Sequence, residues 1–550
     1  MQSSSIFAQQ KSVFIELKQQ FDNGIISAQD VADKYLDTIY EGDFQKCGTP
    51  ASKFIDAHNA NISANTLSKL NPTVLRQRSF TPSTFISASG KFKIFFETTG
   101  SHAVPLADAN GNSIPDYVEW VAQAMDSSYN HTVLTLGFPD PIPQGASYEV
   151  YLRNIGGVYG TTHQDQSSPG GTYITIHKDF DGFPENQDPD GNQRGSIRAT
   201  AAHEFKHAVQ FKQNNWTGEA DRWAEMDATL MEEIVYDDVN DYYNYLEGFQ
   251  TSIFGYPEKS IIPGSYQHVT WAIYFYERFG QDFWTKTWER IEAAPQTFGF
   301  LSAIRQEIES RGESYENSIA ENFLWHYASG NRLSPTNYGF EERLEYPESY
   351  IRKKVSTLSD TLSTSLNVAG FAVDFLEVDL TEPRVGQVSA TFTYTNPNLQ
   401  LAFLAYLRDG STEYRTISPK TTGTTNFYGP WNWEDITRLG IAAVNLVPGK
   451  STSYQYSVFA TIPEETFLAQ NYPNPFNPTT NITFGLTERQ NVLLEVFDYT
   501  GRRIRTLVDG VRDPGSYFIN FDATGLASGI YLYRLKTDRG VYFNKMTLIK

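Results

Sequence analysis

The chain carries a single cysteine, Cys47, among 550 residues. No disulfide can form within it, and no cysteine-rich zinc site can be built. No apolar run is long enough to cross a membrane as a helix. Positive charge is in the minority. The 44 Lys and Arg face 64 Asp and Glu, for a formal net charge of −20. That balance disfavours nucleic acid as a partner, and the spread of the acidic residues along the chain reads as a solvated surface. A complete signal peptide is not visible. The stretch Ser5-Ile6-Phe7-Ala8-Gln9 nevertheless resembles the tail of one, ending near a small residue. A secreted chain without disulfides needs robustness from elsewhere, and a ligand such as calcium that binds only the folded state supplies it.

What is abundant is aromatic. Phe, Tyr and Trp make up 14% of the chain, with 33 Tyr and 37 Phe, which favours a β-rich or secreted architecture. The length predicts roughly three to four domains. Residues 1–87 read as a helical N-terminal segment, with apolar helical spacing over 14–21 and 28–40. A polar linker with Pro72 and Pro82 follows. Such a segment is either a pro-region or a packed part of the mature protein. Residues 88–347 begin as strands near 91–97, 147–152 and 173–176, with a helix at 116–129 between them. They continue as helices near 221–238, 266–279, 283–291 and 318–327. This order, a mixed α/β lobe and then a helical lobe, reads as an α+β domain of two lobes. Residues 348–463 alternate as strands and predict a β-sandwich, and 464–550 predict a second one.

The chemistry-bearing motif is His203-Glu204-Phe205-Lys206-His207, an H-E-x-x-H. Ile197, Ala201, Ala208, Val209 and Phe211 surround it at helical offsets. Ser196 is the expected N-cap and Asn214-Asn215 the expected stop. On a helix, i and i+4 share a face, so His203 and His207 can hold one zinc ion. Glu204 lies off that pair but reaches a water held there, as general base. A third ligand is required. Glu225, 18 residues after His207, is the preferred candidate. Glu232 lies about 10 Å further along the same helix and cannot share the ion. Glu232 and Glu233 read instead as a solvated helix face.

A second metal pattern is Asp108-Ala109-Asn110-Gly111-Asn112-Ser113-Ile114-Pro115-Asp116-Tyr117-Val118-Glu119. Side-chain oxygens fall at the EF-hand-like offsets of a calcium loop, from Asp108, Asn110, Asn112, Asp116 and Glu119, with the Ile114 carbonyl between them. Its glycine sits at the fourth position and not the sixth. A further acidic stretch, Asp179-Phe180-Asp181 with Asp188-Pro189-Asp190, reads more simply as a solvated turn.

The H-E-x-x-H helix followed by a helix bearing Glu225 resembles the gluzincin arrangement of thermolysin-like peptidases. Ala201-Ala202-His203-Glu204-Phe205, then Trp223-Ala224-Glu225 and Val235-Tyr236-Asp237-Asp238, look like a family of large secreted bacterial metallopeptidases over about residues 88–335. The resemblance implies zinc on His203, His207 and Glu225, with Glu204 as base. It also implies an oxyanion donor from the later helices, for which Tyr266 and His268 are the candidates. Where such enzymes carry an acidic residue four positions after the ligand Glu, this chain has Thr229. Support for a zinc-bound histidine must then come from elsewhere.

At the end, Asn471-Tyr472-Pro473-Asn474-Pro475-Phe476-Asn477-Pro478 is followed by Gly525-Leu526-Ala527-Ser528-Gly529-Ile530-Tyr531 and by Lys545-Met546. These motifs resemble the Ig-like C-terminal sorting domain of proteins exported by the type IX secretion system. The resemblance implies passage across the outer membrane, to release or to the cell surface. The expected activity is a secreted zinc endopeptidase acting on proteins or peptides. The alternatives are a zinc aminopeptidase and a non-catalytic surface binding or adhesion protein with a peptidase-like fold.

Overall fold

The computed structural model describes residues 13–41, 44–70, 82–247, 252–294, 299–332, 338–380, 385–395, 399–418 and 423–549. The leader-like Ser5–Gln9 stretch and residues 71–81 of the linker lie outside them. Contacts divide the chain into two units. The first comprises residues 1–257, 261–315 and 345–347; the second comprises 258–260, 316–344 and 348–550.

The first unit is built on a six-stranded mixed sheet. Its strands are β1 (Gln45–Cys47), β2 (Ser83–Ile86), β3 (Phe92–Phe96), β4 (Tyr148–Arg153), β5 (Val158–Gln164) and β6 (Thr172–His177), in the order β1-β5-β6-β4-β3-β2. Every residue of β6 is buried, as its run of β-branched and aromatic side chains requires of an interior strand. β5 runs antiparallel to β6, and β1 lies along its outer side in parallel. The helices of this unit are α1 (Val13–Asp22), α2 (Ala28–Glu41), α3 (Thr49–Ala57), α4 (Ala64–Leu70), α5 (Asp116–Tyr129), α6 (Asn192–Asn214), α7 (Ala224–Val235), α8 (Val269–Phe279), α9 (Phe283–Ala293) and α10 (Phe300–Ser310).

The N-terminal segment is helical, as expected, but it is not set apart from the sheet. Its helices enclose a core of Phe14, Leu17, Val31, Tyr35, Phe54 and Ile55, which Val158 of β5 joins. Between α2 and α3 the segment supplies β1 to the sheet.

α6 lies against β5 at Gly160. A Cβ there would sit 2.6 Å from Thr200 Cγ2 and 2.8 Å from Glu204 Cγ, so glycine sets the distance between helix and strand. The helix starts at Asn192, one turn before the expected cap. Ser196 is therefore inside it, its carbonyl accepting the Thr200 hydroxyl at 2.7 Å. The helix stops where expected, with Asn215 in the left-handed region at φ 52°.

In the second unit, α11 (Tyr315–Tyr327) precedes two sheets. The first sheet holds β8 (Leu366–Val368), β10 (Gln387–Tyr394), β13 (Gly423–Asn432) and β15 (Thr452–Thr461). The second holds β7 (Lys353–Val355), β9 (Ala372–Val378), β11 (Leu399–Leu407), β12 (Thr412–Ile417) and β14 (Ile436–Asn445). They share one core containing Leu376, Phe392, Phe403 and Ile441. The expected boundary at 347/348 is corrected here, because residues 316–344 pack with these sheets. Tyr327 occupies the space over Gly440, where a Cβ would lie 2.3 Å from the ring. Its hydroxyl donates to Glu377 Oε2 at 2.9 Å, which also accepts from Arg332 Nε at 2.9 Å.

The last strands are β16 (Phe467–Leu468), β17 (Thr479–Leu486), β18 (Gln490–Asp498), β19 (Arg503–Arg512), β20 (Gly515–Asp522), β21 (Gly529–Thr537) and β22 (Val541–Leu548). They form a three-stranded and a four-stranded sheet around Phe484, Leu494, Phe521 and Tyr533.

Candidate metal centre

The buried helix α6 turns His203 and His207 toward the first turn of α7, where Glu225 sits. His203 Nε2 and His207 Nε2 are 3.2 Å apart. Glu225 Oε2 is 3.4 Å from His203 Nε2, and its Oε1 is 3.3 Å from His207 Nε2. A fourth donor comes from the N-terminal segment, since Cys47 Sγ is 3.4 Å from His207 Nε2. One ligand atom from each of Cys47, His203, His207 and Glu225 lies within 4.8 Å of the others. Tetrahedral ligands about 2.0–2.3 Å from a zinc ion stand roughly 3.3–3.7 Å from one another, and the contacts of His207 with His203, Glu225 and Cys47, at 3.2, 3.3 and 3.4 Å, lie near the short end of that range.

The protons agree with that geometry. His203 Nδ1 is 2.7 Å from Glu232 Oε1, and His207 Nδ1 is 2.8 Å from Gln210 Oε1. Both partners are acceptors. Gln210 commits its own Nε2 as donor to the Ala224 carbonyl and to Asp227 Oδ2, at 3.0 and 2.7 Å. Each imidazole therefore carries its proton on Nδ1 and turns an Nε2 lone pair into the cluster. Two lone pairs, a carboxylate and a sulfur facing one another call for positive charge between them. Without a cation the cluster draws protons. Burial lowers His203, but the Glu225 and Glu232 carboxylates outweigh it and raise the ring to about 10. Burial of Glu225 is likewise outweighed by the two rings, and its carboxyl is held well below the usual range.

Glu232 is thus neither solvated nor a rival ligand, which corrects the sequence expectation. It is buried, orients His203, and pairs with Lys46 Nζ at 2.8 Å. Lys46 also pairs with buried Asp241. On the other side, Asp227 lies 3.4 Å from buried Lys206, whose ammonium burial lowers to about 8. Thr229, at the position of the missing acid, only donates to the Glu225 carbonyl of its own helix at 2.8 Å. The support that the sequence left unassigned comes from Glu232 and Gln210. Gln210 follows His207 by three residues, a spacing visible in the sequence.

Glu204 is fully buried beside the cluster. Its Oε2 accepts from Thr162 Oγ1 at 2.7 Å and from Thr49 Oγ1 at 3.2 Å, while Oε1 has no hydrogen-bond partner among the described residues. Of the two oxyanion candidates, the structure brings Tyr266 to the site. Its ring centroid is 6.5 Å from that of His203, and it packs with Cys47 and Tyr245. His268 is used otherwise, its Nδ1 accepting the Ser265 amide at 3.1 Å in a cap.

The 108–119 loop closes on itself ahead of α5. Asp108 accepts the amides of Gly111, Asn112 and Ser113. Asn110 and Asn112 donate to the two oxygens of Glu119 at 2.8 and 2.7 Å, and Asp116 accepts the Ala109 amide at 3.1 Å. In the second acidic stretch, Asp188 and Asp190 bind Arg198 at 2.7 and 2.6 Å, and Asp179 pairs with Lys178. Those charges are already matched.

Comparison with known proteins bears on the end of the chain. No curated protein matches it. Among solved structures, it overlaps a β-1,2-glucanase from Parabacteroides distasonis at 10% identity, over 36% of this chain and 34% of that one, with a TM-score of 0.15. It overlaps dimeric latent PorU from Porphyromonas gingivalis at 13% identity, over 34% and 20%, with a TM-score of 0.13. The chain thus spans about a third of the glucanase and a fifth of PorU, and overlaps this slight carry no argument. Among the described residues no helix is long and apolar enough to cross a membrane. Residues 470–550 match the model of a secretion system C-terminal sorting domain. The chain therefore ends in a type IX sorting domain, which engages the secretion machinery and marks a secreted or cell-surface protein.

Proposed function

We propose that the first unit is a zincin-like metallopeptidase of the gluzincin type and that the protein is a secreted zinc-dependent endopeptidase. The observation that carries this reading is the cluster itself. Donor atoms of His203, His207 and Glu225 converge within 4.8 Å of one another, both histidine Nδ1 atoms face acceptors, and a buried carboxylate stands next in the same helix. When bound, zinc supplies Lewis-acid polarisation of a carbonyl and lowers the pKa of water. Glu204 takes the proton of the attacking water and returns it to the leaving amine. Thr162 holds one oxygen of that carboxylate and leaves the other for the proton. Tyr266, whose ring centroid lies 6.5 Å from that of His203, is the candidate to offer the oxyanion a hydrogen bond. We also propose that Asp108, Asn110, Asn112, Asp116 and Glu119, with the Ile114 carbonyl, hold a structural calcium ion.

Zinc content and casein cleavage test the peptidase reading. They are measured on the natural chain and on a Cys47→Ser variant, each with and without Glu204→Gln. About one zinc per chain is expected in all four. Cleavage is expected only where Glu204 is present. Zinc binding with no cleavage by any of the four would favour the binding-protein alternative.

A further inference from the structure

The donor set has one member more than a hydrolytic site can use. A catalytic zinc keeps three protein ligands and an open position, whereas four protein ligands close it. Cys47 is the only cysteine of the chain, and its Sγ lies 3.4 Å from His207 Nε2 and within 4.8 Å of a donor atom of His203 and of Glu225. Several independent features put it there. β1 pairs with the outer side of β5, with Gln45 opposite Val158 and Cys47 opposite Gly160. Gly160 is the residue against which Glu204 packs. The sheet edge beside the donors, open to an extended peptide in its absence, is thus filled by the chain's own residues 45–47. Thr49 adds a hydrogen bond to Glu204 at 3.2 Å, so one short stretch touches both the donor cluster and the base. The orphaned Glu204 Oε1, fully buried, marks the same place as unfinished.

The segment that carries Cys47 is built to be separable. Among the described residues its apolar core is mostly its own, joined from outside by buried Val158 and half-buried Ile155. A cavity of about 440 Å³ opens between its helices and the sheet, lined by Tyr35, Ile55, Asn65, Arg153 and His163. Beyond β1, the ties among the described residues include the Phe44 ring against Phe183, with centroids 4.7 Å apart, and a set of polar contacts. Lys46 reaches Glu232 and Asp241, Lys53 reaches Asp221 at 2.5 Å, and Ser52 meets His163 at 2.9 Å.

We propose that residues 13–70 are an inhibitory segment that keeps the metal centre closed, with the Cys47 thiolate as fourth ligand and β1 in the place of a substrate strand. The proposal rests on the reading that His203, His207 and Glu225 hold zinc. On release Cys47 leaves with the electron pair of its bond to the metal and takes a proton from water. Its ligand position passes to solvent, and no oxidant or reductant enters.

Zinc K-edge X-ray absorption of the full natural chain is the direct test. One sulfur at about 2.3 Å is expected beside nitrogen and oxygen neighbours. In full-length Cys47→Ser and Cys47→Ala the sulfur is expected to vanish while zinc remains. Both variants are expected to cleave casein at least tenfold faster than the natural chain, with their melting transitions showing that they fold. Zinc bound in the natural chain without a sulfur neighbour would overturn this proposal and leave the three-ligand site standing. A sulfur neighbour, with neither variant faster than the natural chain, would overturn the inhibitory role of the thiolate. Zinc bound by none of the three would defeat the peptidase reading itself.

Discussion

Glu232 and Gln210 each accept the proton of a histidine whose other nitrogen faces the donor cluster. Such partners fix the ring orientation and raise its basicity, and losing one costs about 10–100-fold in metal affinity. Glu232→Gln keeps the shape but removes the charge that binds His203 and Lys46. Zinc affinity by competition with a chromogenic chelator is expected to fall by about that factor. An affinity equal to the natural chain's would show that Glu232 serves packing alone. Only part of this arrangement was legible residue by residue. The i, i+4 pair of histidines is dictated by helix geometry within five residues. Glu232 read as solvent-facing because nothing local records that Lys46 of a distant segment lies against it.

At the scale of elements, the site depends on how closely α6 approaches β5. Gly160→Ala forces a methyl to 2.6 Å from Thr200 and 2.8 Å from Glu204. The helix must shift or the strand must bend, at roughly 1–3 kcal/mol, the usual range for overpacking a filled core. A lower thermal midpoint is expected, together with weaker zinc binding, because the displaced helix carries both histidines. An unchanged midpoint would mean that the interface has slack the geometry does not show. The 108–119 loop is an element of another kind, a turn that closes through its own side chains ahead of α5. Calcium at about 100 times its Kd is expected to stabilise the chain by about 2.7 kcal/mol. That gain should show as a rise in melting temperature that Asp108→Ala abolishes. No rise in the natural chain would reduce the loop to an Asx-rich turn. Most element types followed from periodicity, and α10 did not. Residues 300–310 pack Phe300, Ile304 and Ile308 inward, a pattern passed over in the sequence.

At the scale of the whole molecule, stability depends on buried acids as well as on cores. Asp374 in β9 is fully buried beneath the Tyr454 hydroxyl, which donates to it at 3.0 Å. Burial raises its pKa from 3.8 to about 6, against the opposing effect of that hydrogen bond. The folded state thus holds this proton more tightly than the unfolded chain does. The contribution is full below the unfolded value of 3.8 and is lost as the pH rises through about 6. Asp374→Asn is therefore expected to stabilise the second unit by roughly 1–3 kcal/mol at pH 8 and by little at pH 4. Melting curves at the two pH values check this, and a gain confined to pH 4 would reverse the sign. The sorting domain at the other end of this unit was recognisable from short motifs, because its Pro- and Gly-bearing turns stand at fixed positions in the sequence. The boundary at 347 was misplaced, since the fit of Tyr327 over Gly440 joins positions more than a hundred residues apart.

The sequence by itself determined the features whose physics is local: the paired histidines with Glu204, the helix that ends at Asn214, the alternating strands of the two sandwiches, and the tail that sends the chain outside the cell. Tertiary structure alone decided the rest of the centre. Cys47 lies 160 residues before His207, and a three-residue strand brings its sulfur to 3.4 Å from that ring. No periodicity encodes such a contact, because β-pairing joins strands by register and not by sequence distance. The lone cysteine that ruled out a disulfide framework thus became the fourth member of the donor set.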